Sequence, residues 1–439
     1  MRGSNNLLRE AESPHQTYRA RFVYPVTSEP IGDGAVVVKG NRVVTVGRWK
    51  DMKTSDPVDL GDVVLLPGLV NAHCHFDYTV MRGAILPPQS FAAWVTRIND
   101  LKRTLDDDAY AGSIQNGMDQ ALAFGTTTAL NIAAFPEIVL RLKPPPLRVW
   151  WFLEMLDVRS RTPTEEVVAG AFAFFEKRPG WLGGEGLSPH APYTASPELY
   201  RLAARCCRER NLPMTTHAAE SEEEFAMFTR REGPLFDLIA RLGRKLENPE
   251  SLTPFSYLLK TCKIPAGTIL AHMNHLSESD WSLLELHAHS YPVVHCPNSH
   301  AYFGRSPFPL GRFEKIGVNV CIGTDSLASN RTLSLFSEMR QLLKTQLGVT
   351  PSRAIEMATV RGAHAAGQAG NLGEISSGAC ADFITIPAPA KIGELAEAIV
   401  AHRGPVVHAV VDGILGEKRM DDMDGMDLMD SSIARQCCP

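Results

Sequence analysis

The sequence predicts an α/β protein: a (β/α)8 TIM barrel carrying a small β-sandwich built from both chain ends. Three observations lead there. The rhythm of apolar segments changes near Pro67 and again near Gly373. Between those points, eight short apolar runs alternate with helix-sized stretches. Histidines or acids then cluster just after several of those runs, where a barrel keeps its functional residues.

The elements follow in chain order. From about Tyr18 to Leu66 the segments Arg21–Tyr24, Ala35–Lys39, Arg42–Val46 and Val63–Leu66 are too short and evenly spaced for helices. Asp33-Gly34 and Gly40-Asn41 are read as the turns between them. From Pro67 the candidate barrel strands are Gly68–His73, Thr126–Ile132, Arg148–Met155, Gly184–Ser188, Pro213–His217, Gly267–His272, Pro292–Cys296 and Val318–Gly323. Helical stretches such as Ser90–Leu105, Asp107–Phe124, Pro197–Arg210 and Leu333–Leu347 separate them, as crossovers between parallel strands must. After the barrel, Asp382–Ile386 and Val406–Val411 are again short strands that cannot form a stable sheet alone. They are expected to pair with the N-terminal strands, so that 18–66 and 374–416 form one sandwich and 67–373 the barrel. The run 417–439, rich in Asp and Met, is expected to be a loose tail.

Bulk composition narrows the function classes. The 439 residues are 44% hydrophobic and 21% charged, enough for a large barrel with a companion domain. A net charge of -5 gives no footprint for nucleic acid or an anionic membrane. Residues 1–14 are polar, and no apolar run is long enough to span a bilayer. The expectation is a cytoplasmic protein acting on a small molecule, with self-association left open. Nine cysteines, including the adjacent pairs Cys206-Cys207 and Cys437-Cys438, form no Cys-x-x-Cys and read as reduced thiols.

The chemistry lies at the strand ends. The first strand ends in His73-Cys74-His75, the fourth in Ser188-Pro189-His190 and the fifth in His217-Ala218-Ala219-Glu220. The sixth ends in Ala271-His272, the seventh runs into His295 through His300, and the eighth ends in Thr324-Asp325-Ser326. Residues two apart on a strand share a face, so His73 and His75 point the same way. With His217 and Asp325 they make three imidazoles and one carboxylate, a donor set for Zn²⁺, with Fe²⁺ the alternative. Glu220 is then placed to shuttle protons and His272 to steady an attacking water. Each feature alone has a bland explanation. His-x-His occurs by chance, His217-x-x-Glu220 could open a solvated helix, and Asp325 could be a turn residue. Their conjunction at four strand ends is what points to a site. His15, His275, His287, His289, His364, His402 and His408 read as structural or surface residues.

These residues carry a resemblance. Pro67-Gly68-Leu69-Val70-Asn71-Ala72-His73-Cys74-His75 resembles the entry motif of the amidohydrolase superfamily. Gly323-Thr324-Asp325-Ser326-Leu327-Ala328-Ser329-Asn330, with His217-Ala218-Ala219-Glu220 and Ala271-His272, is similar to its deaminase and chlorohydrolase (ATZ/TRZ-like) branch. The resemblance runs from about residue 18 to 415. It implies His73, His75, His217 and Asp325 as metal ligands, and Glu220, His272 and Asp325 as catalytic groups. Two-metal relatives usually carry a carbamylated lysine at the end of the fourth strand. Ser188-Pro189-His190 stands there instead, which implies one divalent metal per chain and makes His190 a substrate contact.

His295-Cys296-Pro297-Asn298-Ser299-His300 departs from the commoner branch form, which has Asn at the position of His300. With Ala301-Tyr302-Phe303-Gly304, and Phe91-Ala92-Ala93-Trp94-Val95 after the first strand, it looks more like aminodeoxyfutalosine deaminases and relatives acting on adenine nucleosides. Trp94, Ser299 and His300 are accordingly expected near the substrate, with Trp94 equally readable as a packing residue. The implied activity is hydrolytic release of ammonia from an aminated heteroaromatic ring, at C–N bonds of cyclic amidines. Chloride displacement or cyclic-amide opening on the same fold is the first rival. A non-catalytic binding protein is the second, and it is disfavoured because such proteins typically lose ligands.

Overall fold

The computed structural model describes residues 15–52, 56–158, 163–244, 247–248 and 250–416. The expected tail 417–439 lies outside the described residues, as do Cys437 and Cys438. The strands are β1 (His15–Val23), β2 (Ile31–Lys39), β3 (Arg42–Arg48), β4 (Val58–Asp59), β5 (Val63–Pro67), β6 (Leu69–His75), β7 (Thr126–Ala133), β8 (Arg148–Met155) and β9 (Gly183–Pro189). They continue as β10 (Thr215–Ala218), β11 (Ile269–His272), β12 (Val293–His295), β13 (Val320–Ile322), β14 (Asp325–Ser326), β15 (Phe383–Pro387), β16 (His408–Val411) and β17 (Ile414–Leu415).

Both ends of the described residues enter one mixed sheet, in the order β17-β16-β15-β5-β1-β2-β3, with β4 beside β1. The ends meet where β15 runs antiparallel to β5, Phe383 opposite Pro67 and Pro387 opposite Val63. Tyr18, Val36, Leu65 and Phe383 are buried together in its core, the Tyr18 and Phe383 rings edge to face at 5.0 Å. Gly40-Asn41 is the turn between β2 and β3, but Asp33-Gly34 is not a turn between strands. It lies inside β2, with Gly34 paired to Ala20 and Asp33 at φ +45°. The pairing admits glycine because a Cβ at Gly34 would come within 2.6 Å of Val23 Cγ2.

The remaining strands pair in parallel in two arcs, β14-β6-β7-β8-β9 and β10-β11-β12-β13. A parallel bridge between Leu187 and Met214 joins β9 to the start of β10. Helices lie between consecutive strands from β6 to β13, giving a TIM-barrel-like α/β fold. Alternation sorts the side chains. Leu130 and Ile132 of β7 join Phe152, Ile269 and Val294 in one apolar cluster, while Ala129 and Ala133 pack with the larger core that includes the helices. Pro213 and Pro292, expected within strands, sit just before β10 and β12 because they have no N–H to donate. Their carbonyls still accept from Leu187 and Leu270.

The helix Phe91–Lys102 starts where Ser90 accepts from Ala93 N, and Pro197–Arg210 starts likewise on Ser196, satisfying amides the first turn leaves open. Arg148 at the head of β8 pairs with Asp382 at 2.5 Å and with Asp412, tying the barrel strands to the terminal sheet through a buried ion cluster. Cys74, Cys206, Cys207, Cys262, Cys296, Cys321 and Cys380 are free thiols. No helix among the described residues is long and apolar enough to cross a membrane.

Candidate metal and catalytic site

The last residues of β6 put His73 and His75 on one face, both buried. Their Nε2 atoms approach to 3.3 Å, and His217 Nε2 from β10 stands 3.3 Å from His75 Nε2. Asp325 Oδ1 lies 3.9 Å from His73 Nε2 and 3.8 Å from His75 Nε2. His272 joins the same cluster, its ring 5.5 Å from that of His73 and 5.4 Å from that of His217. Donor atoms of His73, His217 and His272, and of His73, His75 and Asp325, fall within 4.8 Å of one another.

The backbone is bent to make this possible. Asp325 has φ +58°, His272 +77°, Met273 +49° and Ala219 +49°, all in the left-handed region that non-glycine residues seldom occupy. Gly323 separates β13 from β14 beside His73, and a Cβ there would meet the His73 carbonyl oxygen at 2.6 Å. The close approach therefore depends on glycine.

The hydrogen bonds fix the chemical form of the donors. His217 Nδ1 donates to the His190 carbonyl at 2.9 Å, so in the neutral ring Nε2 carries the lone pair facing the cluster. Burial first, and then neighbouring histidines, hold the pKa values of His73 and His75 well below the usual imidazole range. Burial does the same for His272 and His190. For Asp325 burial works to raise the acid, but His272, His73, His75 and the Ser299 hydroxyl outweigh it and hold the carboxyl below its ordinary value. Neutral imidazoles whose lone pairs converge on a carboxylate repel or leave one another unsatisfied without a cation between them, so this donor set fits a divalent ion.

Glu220 follows β10, with Oε2 3.8 Å from His272 Nε2 and Oε1 accepting from Arg305 Nη2 at 3.0 Å. Its main chain is held too. Glu224 accepts from the Glu220 amide at 2.6 Å, and Asn274 Nδ2 donates to the Glu220 carbonyl at 3.0 Å. Burial pushes the Glu224 acid up to about 8, against the hydrogen bonds it accepts from the Glu220 and Ala219 amides.

The residues expected around a substrate divide. His190 lies beside His217, ring centroids 4.8 Å apart, with Nδ1 on Thr194 Oγ1 and Nε2 4.0 Å from Glu154. Trp94 is half-buried, stacked on Phe91 and edge-on to Phe303, with Nε1 on the Ala328 carbonyl at 3.4 Å. Ser299 and His300 have their polar atoms bonded to protein groups. The fully buried Ser299 donates to Asp325 Oδ2 at 2.7 Å. His300 bonds Asn274 Oδ1 at 3.1 Å and the Ser306 carbonyl at 2.7 Å. Sequence reasoning stopped at Gly304 and missed Arg305, Asn274 and Glu224. A lone cation among Phe303, Gly304 and Pro307 was the available signal for Arg305.

The chain is similar to known proteins over most of its length. The description "Amidohydrolase family" matches residues 64–415. A 5-methylthioadenosine/S-adenosylhomocysteine deaminase of Saccharophagus degradans is 27% identical, covering 95% of each chain. An aminodeoxyfutalosine deaminase of Deinococcus radiodurans is 30% identical over 75% of this chain and 80% of its own. The crystal structure of Helicobacter pylori aminofutalosine deaminase with methylthio-coformycin superposes with a TM-score of 0.80 at 22% identity, over 91% of this chain and all of that one.

Proposed function

Because this chain belongs to the amidohydrolase family, we propose that it is a metal-dependent hydrolytic deaminase, releasing ammonia from the amino-purine ring of an adenine nucleoside such as aminodeoxyfutalosine. The observation that carries the reading is the placement of Glu220 and His272 together against the cluster of His73, His75, His217 and Asp325. The named activities of the deaminase relatives support the substrate class.

His73, His75, His217 and Asp325 would hold one divalent cation, zinc or iron by donor type, which would supply a water ionised near neutral pH. Glu220 accepts the proton that the attacking water loses and delivers it to a ring nitrogen. Attack makes the C6 carbon tetrahedral; the water's second proton, now on the new hydroxyl, passes to the amine, so that the C6–N bond breaks, ammonia leaves and a C6 carbonyl forms. At the new hydroxyl His272 donates a hydrogen bond to the oxygen and the Asp325 carboxylate accepts one from the proton. Ser299 orients Asp325, as a partner behind a ligand does. In this reading His190, beside His217, meets the base, and Trp94 with Phe91 and Phe303 supplies an aromatic wall of the substrate site. His300 braces its loop rather than the substrate. The two parallel arcs are read as one closed barrel over 67–373, and 18–66 with 374–416 as the composite small domain.

The test is ammonia release by the metal-loaded protein from adenosine, 5′-substituted adenosines, aminodeoxyfutalosine, guanine, cytosine and pterins. Turnover confined to adenine nucleosides is expected. Release from none of them would overturn the nucleoside reading, and turnover of a chlorotriazine instead would replace it.

A further inference from the structure

Arg305 is an expensive residue to place where it is. Its side chain is 6% exposed, beside the Glu220 carboxylate. Its guanidinium lies 4.3 Å from the Phe303 ring centroid and 5.8 Å from that of Phe91. A buried cation costs free energy unless an anion and hydrogen bonds compensate it. Among the described residues the carboxylate in ion-pair contact with it is Glu220, through Nη2 to Oε1 at 3.0 Å. The pair joins two loops 85 residues apart in sequence.

From this we infer that Arg305 is the positioning residue for Glu220, holding one carboxylate oxygen so that the other, Oε2, is the one presented to the reaction centre. The inference rests on the reading of Glu220 as the proton carrier. The surrounding bonds have the same sense. Asn274 holds the Glu220 carbonyl and Glu224 its amide, so the main chain is fixed from two sides. These bonds leave the side-chain torsions free, and Arg305 is what restrains the carboxylate itself. His300 serves the same end: it bonds Asn274 on one side and the Ser306 carbonyl on the other, fixing the loop from which Arg305 projects. A carboxylate that must take a proton at one atom and release it at another gains from having one oxygen occupied, because the proton then has one place to go.

Arg305→Ala and Arg305→Lys test this. With adenine nucleoside as substrate, Arg305→Ala should keep its metal and lower kcat by about 10- to 100-fold, the loss that a misplaced catalytic group brings, while KM changes less than about threefold. Added guanidinium ion should restore part of the lost kcat in Arg305→Ala. Arg305→Lys, which keeps the charge but not the planar fork, should fall between it and wild type. A second readout is independent of turnover. The thermal unfolding midpoints of Arg305→Ala, Glu220→Gln and the double variant should be non-additive, because the two side chains act as a pair.

Unchanged kcat in Arg305→Ala, a rise confined to KM, or additive midpoints would each overturn the inference. If Arg305→Ala does not fold, Arg305→Lys carries the test, and wild-type kcat there would overturn it. Absence of ammonia release by wild type would defeat the function proposed above. The unfolding cycle would still decide whether Arg305 and Glu220 are coupled.

Discussion

Replacing Glu220 by Gln removes the proton acceptor and leaves nearly everything else in place. The amide keeps the size of the side chain, and its oxygen can still accept from Arg305 Nη2, which lies 3.0 Å from Oε1 in the parent. The backbone bonds to Glu224 and Asn274 do not involve the side chain. The carboxylate stands 3.8 Å from His272 and is not part of either converging donor group. Metal content should therefore stay near wild type. Loss of general acid–base catalysis is expected to lower kcat by about two to four orders of magnitude, or roughly 3 to 5 kcal/mol of transition-state stabilisation. Stability should fall by less. Removing the charge opposite a buried guanidinium while keeping one accepted hydrogen bond costs about 1–3 kcal/mol. Steady-state kinetics, elemental analysis and urea unfolding on the same preparation separate these effects. Near-normal kcat would remove Glu220 from the mechanism, and loss of the metal with activity would make it a ligand.

Elemental analysis of carefully purified protein should find about one divalent metal per chain, because the two donor groups among the described residues share His73 and no lysine stands beside Ser188; two tightly held ions would contradict it. In the metal-free protein, burial depresses the pKa values of His73, His75, His190 and His272, so below about pH 6.5 the unfolded chain binds more protons than the folded one. Stability from these groups is present above that pH and lost as pH falls through it. Calorimetry with chelator at pH 7.5 and 5.5 should show the lower midpoint at pH 5.5, and equal midpoints would refute the assignment. Arg148→Ala leaves Asp382 buried without its cation, and should cost about 3–5 kcal/mol in denaturant unfolding. A loss under 1 kcal/mol would show that the cluster is not holding the sheet to the barrel.

What could be read without the fold was whatever depends on neighbours in sequence. Strand and helix periodicity located the segments that form β6 to β13, because alternation and 3.6-residue spacing are local properties. It located His73, His75, His217, Glu220, His272 and Asp325 at strand ends for the same reason. A His-x-His on a strand shares a face whatever the strand packs against. The misreadings were also local in origin. Asp33-Gly34 has turn chemistry, and only the approach of Val23 across the β1–β2 pair explains why glycine sits within a strand instead. Pro213 and Pro292 fell outside their strands because a ladder needs a donor that proline lacks.

The tertiary structure decided which polar atoms were left for chemistry. Ser299 and His300 lie in the short helix Pro297–Tyr302 that follows β12. Whether their hydroxyl and imidazole are free depends on Asp325, Asn274 and Ser306, which the chain brings there by folding. Arg305 and Glu220 are 85 residues apart, and no local pattern marks them as partners. Their pairing follows from two barrel loops meeting over an aromatic floor of Phe91 and Phe303, where a buried cation must find an anion.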